Sequence, residues 1–211
     1  MSTVALIDYG SGNLASAAKA LARAANGKSE IVTTADPQLV REAERVVLPG
    51  VGAFADCMKG LSSVPGMIEA LREKVVKDGA PFLGICVGMQ LLATVGVEFG
   101  RHAGLGWIAG EVVKITPSDP GLKIPHMGWN ELKILQKHPL LKGIESGAHA
   151  YFVHSFELKP ALPEDLIAAT DYGRALTAMV GNENIAGTQF HPEKSQATGI
   201  KLLENFLSWR P

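Results

Sequence analysis

Cysteine, aromatic side chains and charge are all scarce in this sequence of 211 residues. Its two cysteines, Cys57 and Cys86, form no C-x-x-C pair. With no disulfide framework, a reducing cytoplasm is the simplest compartment to expect. Aromatic residues make up 6% and charged residues 19%, and the formal net charge is −1. This balance gives no bulk reason to expect nucleic acid or an anionic membrane as a partner.

Long apolar runs, internal repeats and linker-like stretches are also missing. No stretch reaches the ~18 apolar residues that a membrane-spanning helix needs. The N-terminal segment MSTVALIDYG has no basic start and no long apolar run, so we expect a first strand there and not a secretory signal. Because 46% of the residues are hydrophobic, the chain can build one sizeable core. We therefore expect a single domain over residues 1–211.

Strand and helix patterns alternate in the first half of the chain. The apolar runs TVALID, EIVTT, RVVLPG and PFLGIC read as strands, and residues 14–25, 36–43 and 65–79 read as helices. Apolar strands separated by helices indicate a parallel sheet that is covered on both faces.

The second half has short strand patterns between turn signals, which predict antiparallel additions to that sheet. These segments are GLGWIAGEVVKITP, MGWNELKIL, HAYFVHSFEL, IAATDYG, LTAMVG and NIAGTQF. An amphipathic helix over residues 198–210 closes the chain. The predicted fold is α/β, a flavodoxin-like open and mostly parallel sheet with helices on both faces.

Cys86 stands at the break between an apolar strand and a helix, in the segment GICVG. Open parallel sheets carry their chemistry at the carboxyl ends of strands, and G-x-nucleophile-x-G at such an end is typical of a nucleophile elbow. Gly84 and Gly88 remove Cβ atoms that would clash with the neighbouring strand and helix. A helix that begins at Val87 directs N–H groups toward the sulfur and favours the thiolate. The N–H of Val87 is then available to a developing oxyanion.

A nucleophilic cysteine needs a base, and His191 is the histidine best placed to be one. It ends the apolar run IAGTQF and is followed by Pro192 and Glu193. Residues two apart in an extended segment point the same way, so Glu193 can hold the imidazole Nδ1–H and leave Nε2 for the thiol proton. Each motif alone has a structural alternative, a space-filling cysteine or a capping pair, but together they predict a triad. Cys57 lacks this context and is expected to be structural.

The third strand ends in LPGVGAF, residues 48–54, which offers a second oxyanion donor. Backbone N–H groups of Gly50, Val51 and Gly52 can turn toward a ligand, although an ordinary turn is the alternative. One such donor lowers a barrier by roughly 3 kcal/mol. Because glycine tolerates both signs of φ, rotation of one peptide removes a donor at little steric cost. We hypothesise that this loop is a switch, which turns the second oxyanion donor on or off.

Together these segments resemble class I (triad) glutamine amidotransferases, in which an elbow cysteine attacks the side-chain amide of glutamine and releases ammonia. PHMGWN and YFVHSF look specifically like one branch, the glutaminase subunits of imidazole glycerol phosphate synthase in histidine biosynthesis. The resemblance covers nearly the whole chain. It implies that Cys86 is the nucleophile, His191 the base and Glu193 its orienter. Val87 and the Gly50–Gly52 loop match the oxyanion elements.

The same resemblance implies a glutamine-binding set. Gln90 and Glu98 match positions that hold the amino-acid part of glutamine. His154, Ser155 and Phe156 match the segment along its other side. Phe156 stands where the family often has tyrosine, so this chain offers no hydroxyl at that position.

A partner protein is also implied by the resemblance, a (β/α)8-barrel cyclase that forms a heterodimer with the glutaminase and makes imidazole glycerol phosphate and AICAR. The resemblance also implies that ammonia reaches the cyclase through a sequestered path. It implies further that glutaminase activity is very low until the partner binds its nucleotide substrate. The positions implied to face this partner are Asn13, Trp129, Tyr151 and Lys194. No cofactor is implied. We expect no metal site, because His149 and His154 lie five apart in a predicted strand and face opposite sides.

Three alternatives remain open from the residues alone. Gly10-Ser11-Gly12-Asn13-Leu14-Ala15 fits G-x-G-x-x-A after a first strand, and Asp36 follows the second strand where a ribose-binding acid can stand, as in a nucleotide-binding oxidoreductase. A cysteine hydrolase that acts alone is the second alternative. A scaffold without activity is the third, although it leaves the intact Cys86, His191 and Glu193 unexplained.

Overall fold

The computed structural model describes residues 2–211, which form strands β1 to β14 and helices α1 to α6. The strands are β1 (Ser2–Ile7), β2 (Ser29–Thr34), β3 (Arg45–Gly50), β4 (Phe82–Cys86), β5 (Ala93–Val97), β6 (Arg101–Ala103), β7 (Ile108–Lys114), β8 (His126–Glu131), β9 (Lys133–Ile134), β10 (His149–His154), β11 (Phe156–Pro160), β12 (Leu166–Asp171), β13 (Ala175–Asn182) and β14 (Ile185–Thr188). The helices are α1 (Leu14–Ala25), α2 (Pro37–Glu42), α3 (Phe54–Ser63), α4 (Met67–Leu71), α5 (Val87–Gln90) and α6 (Gln196–Ser208). Short 3₁₀ turns occupy Pro139–Leu141, Pro163–Asp165 and Pro192–Lys194.

The main sheet has the order β2-β1-β3-β4-β14-β13-β12-β9. Its first five strands are parallel, so the predicted open, mostly parallel α/β sheet is confirmed. From β1 the chain moves outward to β2 through α1 and then back across to β3 through α2. Because such crossovers are right-handed, opposite directions along the sheet place α1 and α2 on opposite faces. β3 and β4 are buried along their whole length, which explains why all their residues except Arg45 are apolar; the Arg45 guanidinium donates to the carbonyls of Phe206 and Trp209.

The prediction for the second half is only partly correct. β13, β12 and β9 do add antiparallel strands to the main sheet, but β14 pairs with β4 in parallel. The other segments form two separate sheets, β10-β8 and β11-β7-β5-β6. The segment HAYFVHSFEL is two strands and not one, because the ladder breaks at Ser155 and each half pairs with a different sheet.

Some helix predictions also need correction. The helix predicted to begin at Val87 is short and ends at Gln90. The carbonyls of Leu91 and Leu92, which follow it, accept the N–H groups of Leu105, Trp107 and Ile108. Residues 65–79 contain α4 followed by a π-helical segment, Arg72–Lys77. The sequence analysis predicts no helix where α3 lies. This helix contains Gly60, where a Cβ would lie 2.9 Å from the carbonyl oxygen of Tyr9. No helix within residues 2–211 is long and apolar enough to cross a membrane.

The carboxyl ends of the central strands bring the candidate residues together. Gly50, at the end of β3, is the register partner of Cys86, at the end of β4. Thr188 at the end of β14 pairs with Ile85, so the chain that continues to His191 lies on the other side of β4. Two segments far apart in sequence therefore flank the cysteine.

Candidate active site

Cys86 has a positive φ of 54°, with ψ −112°. A non-glycine residue in this region is strained, and such strain is typical of nucleophile elbows, where it exposes the nucleophile at the end of a strand. The residue is the last of β4 and directly precedes the first turn of α5. The local geometry predicted from GICVG is therefore present.

Three glycines permit this turn. A Cβ on Gly88 would lie 1.8 Å from the carbonyl oxygen of Leu48, and a Cβ on Gly84 would lie 2.6 Å from the oxygen of Gly88. On the neighbouring strand, a Cβ on Gly50 would meet the hydroxyl of Tyr9 at 2.7 Å and the nitrogen of Gly88 at 2.8 Å. The glycines thus allow β3 and the elbow to approach more closely than any side chain would tolerate.

His191 and Glu193 form a buried pair. The imidazole Nδ1 lies 2.7 Å from Glu193 Oε1, and the two side chains are 2% and 3% exposed. Since the carboxylate can only accept, Nδ1 carries the proton, and Nε2 is buried with no hydrogen-bond partner among the described residues. Burial alone lowers the pKa of His191, but the interactions with Cys86 and Glu193 outweigh it and raise the pKa to about 9. The imidazole is therefore a strong base beside the sulfur.

Cys86 and His191 line one cavity of about 330 Å³. All five residues of the predicted glutamine-binding set line it too, so the structure brings together residues of β4, α5, β10 and β11 with Glu98, which directly follows β5. The lining residues are Val51, Gly52, Cys86, Val87, Gln90, Glu98, Pro125, Val153, His154, Ser155, Phe156, His191 and Lys194.

Two polar side chains of this cavity also tie its walls together. Glu98 Oε2 accepts the N–H of Phe54 at 2.8 Å, which connects it to the start of α3. Gln90 Nε2 donates to the carbonyl of Phe156 and to Gln189 Oε1, both at 3.0 Å. Because both protons of this nitrogen are used, only the carbonyl oxygen of Gln90 remains for a ligand.

In the loop at Gly50, Val51 and Gly52, the central amide is hydrogen-bonded to Ser11. The N–H of Val51 donates to Ser11 Oγ at 3.1 Å, and Ser11 Oγ donates to the Val51 carbonyl at 2.7 Å. Gly52 has φ +100°, a conformation that favours glycine. The Val51 amide is thus not free to bind a ligand in this arrangement.

Of the four residues predicted to face a partner, Lys194 lines the cavity, and Trp129 and Tyr151 lie on the paired strands β8 and β10. Trp129 on β8 and Tyr151 on β10 are register partners, and their rings meet edge to face at 6.0 Å. Lys194 Nζ lies 5.6 Å from the centre of the Tyr151 ring and also lines the cavity. Trp129 is 47% exposed. Asn13 is also exposed, and it lines a separate small pocket together with His191 and Glu193.

Sequence reasoning missed several residues that the site uses. Gln189 Nε2 lies 3.7 Å from Cys86 Sγ, and His126 Nδ1 lies 2.9 Å from His154 Nε2. Strand alternation is a signal that could have found Gln189, since it stands two residues before His191 and faces the same way. No local signal points to His126, whose contact comes from the pairing of β8 with β10.

Ser11 and Asp36, which suggested a nucleotide site, both make contacts within the protein. Ser11 in the G-x-G-x-x-A turn binds the Val51 loop, and the Asp36 carboxylate accepts the N–H of Gln38 as an N-cap of α2. His149 is exposed and His154 buried on the same strand, as predicted from alternation. Within residues 2–211, no group of three or more His, Cys, Asp or Glu side chains is arranged to hold a metal ion.

A cysteine elbow, a buried histidine–carboxylate pair and an open α/β sheet are together typical of cysteine hydrolases, and sequence comparison gives the family. Residues 5–209 match the family described as Glutamine amidotransferase class-I, and the chain belongs to it.

Among curated proteins, the chain is 62% identical over 212 residues to "Imidazole glycerol phosphate synthase subunit HisH" of Rhodospirillum rubrum, with 99% of each chain covered. It is 58% identical over 214 residues to the protein of that name in Caulobacter vibrioides, with 100% of each covered.

Solved structures agree on the fold. A structure described as a glutamine amidotransferase aligns with a TM-score of 0.72 at 20% identity, covering 97% of each chain. A glutamine amidotransferase from Thermotoga maritima aligns with a TM-score of 0.62 at 16% identity, covering 98% of this chain and 83% of that one.

Proposed function

We propose that this chain, as a single glutamine amidotransferase domain, hydrolyses glutamine to glutamate and ammonia as the glutaminase subunit of an imidazole glycerol phosphate synthase in cytoplasmic histidine biosynthesis. The observation that carries the proposal is the cavity of about 330 Å³ in which the strained Cys86 and the buried His191 meet. The family match over residues 5–209 and the 62% identity to a HisH protein support the substrate and the pathway.

The triad residues have distinct roles in the proposed reaction. His191 Nε2 takes the proton of the Cys86 thiol, and the sulfur attacks the side-chain amide carbon of glutamine. His191 then returns the proton to the leaving nitrogen, so that ammonia departs and a thioester remains. His191 Nε2 then deprotonates a water molecule, which attacks the thioester and releases glutamate and the Cys86 thiol. Glu193 holds Nδ1 and balances the charge of the imidazolium at both stages.

Glutamine is proposed to lie between Gln90 and Glu98 on one side and the segment His154-Ser155-Phe156 on the other. Glu98 supplies a carboxylate that is complementary to the α-ammonium group, and the free carbonyl oxygen of Gln90 can accept an N–H from the substrate. Both interactions favour an amino acid with an amide side chain over a peptide.

The N–H of Val87 and one from the Gly50–Gly52 loop are proposed to bind the oxyanion. The Val51 N–H is bonded to Ser11, so this donor becomes available only after the loop changes conformation. Two glycines flank Val51, which makes such a peptide rotation inexpensive. Val51→Pro removes the N–H and restricts the rotation, so we expect it to abolish stimulation of glutamate release by a partner. Full stimulation in that variant would refute the switch.

The proposed partner is a (β/α)8-barrel cyclase that forms a heterodimer with this chain and uses the ammonia to make imidazole glycerol phosphate and AICAR. Asn13, Trp129, Tyr151 and Lys194 are proposed to face it. Support comes from the exposure of Trp129 and from Lys194, which lines the cavity and has its Nζ 5.6 Å from the centre of the Tyr151 ring. An interface here would cover the mouth of the site and allow ammonia to pass without reaching solvent.

The decisive experiment measures glutamate release from glutamine by the chain alone and with a histidine-pathway cyclase barrel, with and without the barrel's nucleotide ligand. We expect low activity alone, a rise with partner and ligand, and none in Cys86→Ala. High activity of the chain alone would keep the triad but favour a stand-alone hydrolase. No activity under any condition, with folded protein and a bound partner, would reject the proposal.

A further inference from the structure

Gln189 is a polar side chain beside the nucleophile to which the proposed reaction gives no role. It is fully buried after β14, and its backbone N–H donates to the carbonyl of Ala178 at 2.9 Å. Its side-chain Nε2 donates to Cys86 Sγ at 3.7 Å. An amide could face the sulfur with either its nitrogen or its oxygen, so its orientation decides whether it helps or hinders a thiolate.

The neighbouring hydrogen bonds decide this orientation. The backbone carbonyl of Phe156 can only accept, so the atom of Gln90 that faces it at 3.0 Å is the nitrogen. The second proton of that nitrogen points at the side chain of Gln189, also at 3.0 Å, so the facing atom there is the oxygen. The nitrogen of Gln189 must then face Cys86. Reversing Gln189 would place two N–H groups against each other in a buried site.

The Phe156 carbonyl is itself held by a chain of neutral histidines. His154 Nδ1 donates to it at 2.9 Å, which leaves His154 Nε2 as the acceptor for His126 Nδ1 at 2.9 Å. His126 Nε2 in turn accepts from Asn130 Nδ2 at 3.1 Å. Burial lowers the pKa of both histidines to about 4, so each has one donor and one acceptor at neutral pH. Each side chain in this series of hydrogen bonds thus has one possible orientation.

We propose that Gln189 is a further catalytic residue, a preoriented amide donor that stabilises the Cys86 thiolate together with His191. A charge-assisted N–H···S⁻ bond is stronger than the corresponding bond to a neutral thiol. The donor therefore favours transfer of the thiol proton to His191 Nε2, which is the step that creates the nucleophile. The role of the sulfur as nucleophile rests on the proposed function, but the effect of Gln189 on the ionisation of the thiol does not.

Two substitutions and one matched control separate this role from simple packing. Gln189→Met keeps the length and volume but removes the donor. Gln189→Glu keeps the shape and places a carboxylate beside the sulfur. Thr188→Val is the control, because Thr188, the last residue of β14, is as buried as Gln189 and its hydroxyl donates to the carbonyl of Phe190.

The assay is the rate of alkylation of the thiol by iodoacetamide from about pH 5 to about pH 10, followed by mass spectrometry of the peptide that carries Cys86. Because only the peptide that carries Cys86 is measured, alkylation of Cys57 does not contribute to the rate. The measurement needs neither glutamine nor a partner. Several titratable groups surround Cys86 and are unchanged in all variants. His191, His154, Glu98 and Lys194 line the same cavity as Cys86, Glu193 is bonded to His191, and Tyr9 and Cys57 interact electrostatically with Cys86.

In Gln189→Met we expect the rate at neutral pH to fall roughly tenfold and the profile to move to higher pH, since a hydrogen bond to a charged group is lost. Gln189→Glu should move it further, and Thr188→Val should follow the wild type. Folding is checked by circular dichroism, and Gln189→Glu carries the test if the methionine variant does not fold. Profiles of both Gln189 variants that superpose on the wild type would overturn the proposal. A wild type that alkylates as expected but releases no glutamate would reject the proposed function alone.

Discussion

Acid should destabilise this protein through two histidines that are buried in neutral form. His126 and His154 are 2% and 6% exposed, and their rings share a hydrogen bond of 2.9 Å. Burial lowers the pKa of each to about 4, from an ordinary value of 6.5. Neither ring can gain a proton without losing an acceptor nitrogen that its neighbour uses.

The sign and size of the effect follow from linkage. Between pH 6.5 and pH 4 the unfolded chain binds protons at these positions while the folded chain does not. The stabilising contribution is therefore complete above pH 6.5 and is lost as the pH falls toward 4. For one such histidine, the free energy of unfolding falls by about 2 kcal/mol between pH 7 and pH 5.

The assay is urea unfolding at about pH 7 and about pH 5 for the wild type, His126→Gln and His149→Gln. Because glutamine does not titrate, His126→Gln should lose about 2 kcal/mol less than the wild type on acidification, whatever its stability at pH 7. His149 lies at the exposed end of β10, so its variant should match the wild type. His138, whose pKa burial also lowers to about 4, contributes equally to all three proteins. An unchanged pH dependence in His126→Gln would refute the reasoning.

Three further substitutions test the site. Glu193→Gln should reduce kcat for glutamate release by about tenfold to a hundredfold, because the buried imidazolium loses a charged partner; an unchanged kcat would contradict the triad. Gly88→Ala should lower the free energy of unfolding by about 3 kcal/mol in urea titrations, since its Cβ would overlap the oxygen of Leu48, and wild-type stability would show that the elbow can relax. Ser11→Ala frees the Val51 N–H and should raise partner-free glutamate release about fivefold; no rise would mean that Ser11 does not restrain the loop.

The catalytic candidates could be read from sequence because their signals are local. The strained turn at Cys86 needs its glycines two residues away, and His191 and Glu193 are two apart in an extended segment that turns both side chains the same way. The parallel sheet could also be predicted, since strands that are covered on both faces are apolar along most of their length. All of these constraints act within a few residues, so they leave a pattern in the sequence.

The rest depended on contacts between distant segments. Strand register brings Gly50 beside Cys86, and it sends the two halves of HAYFVHSFEL into different sheets. Ser11 meets Val51 across 40 residues, and Gln189 meets Cys86 across 103. A hydrogen bond of this kind needs only one donor and one acceptor, which most polar residues possess, so it imposes no spacing that a single sequence can display. By itself the sequence determined which residues can do the chemistry, and only the tertiary structure decided which groups surround the sulfur, because packing brings those groups together.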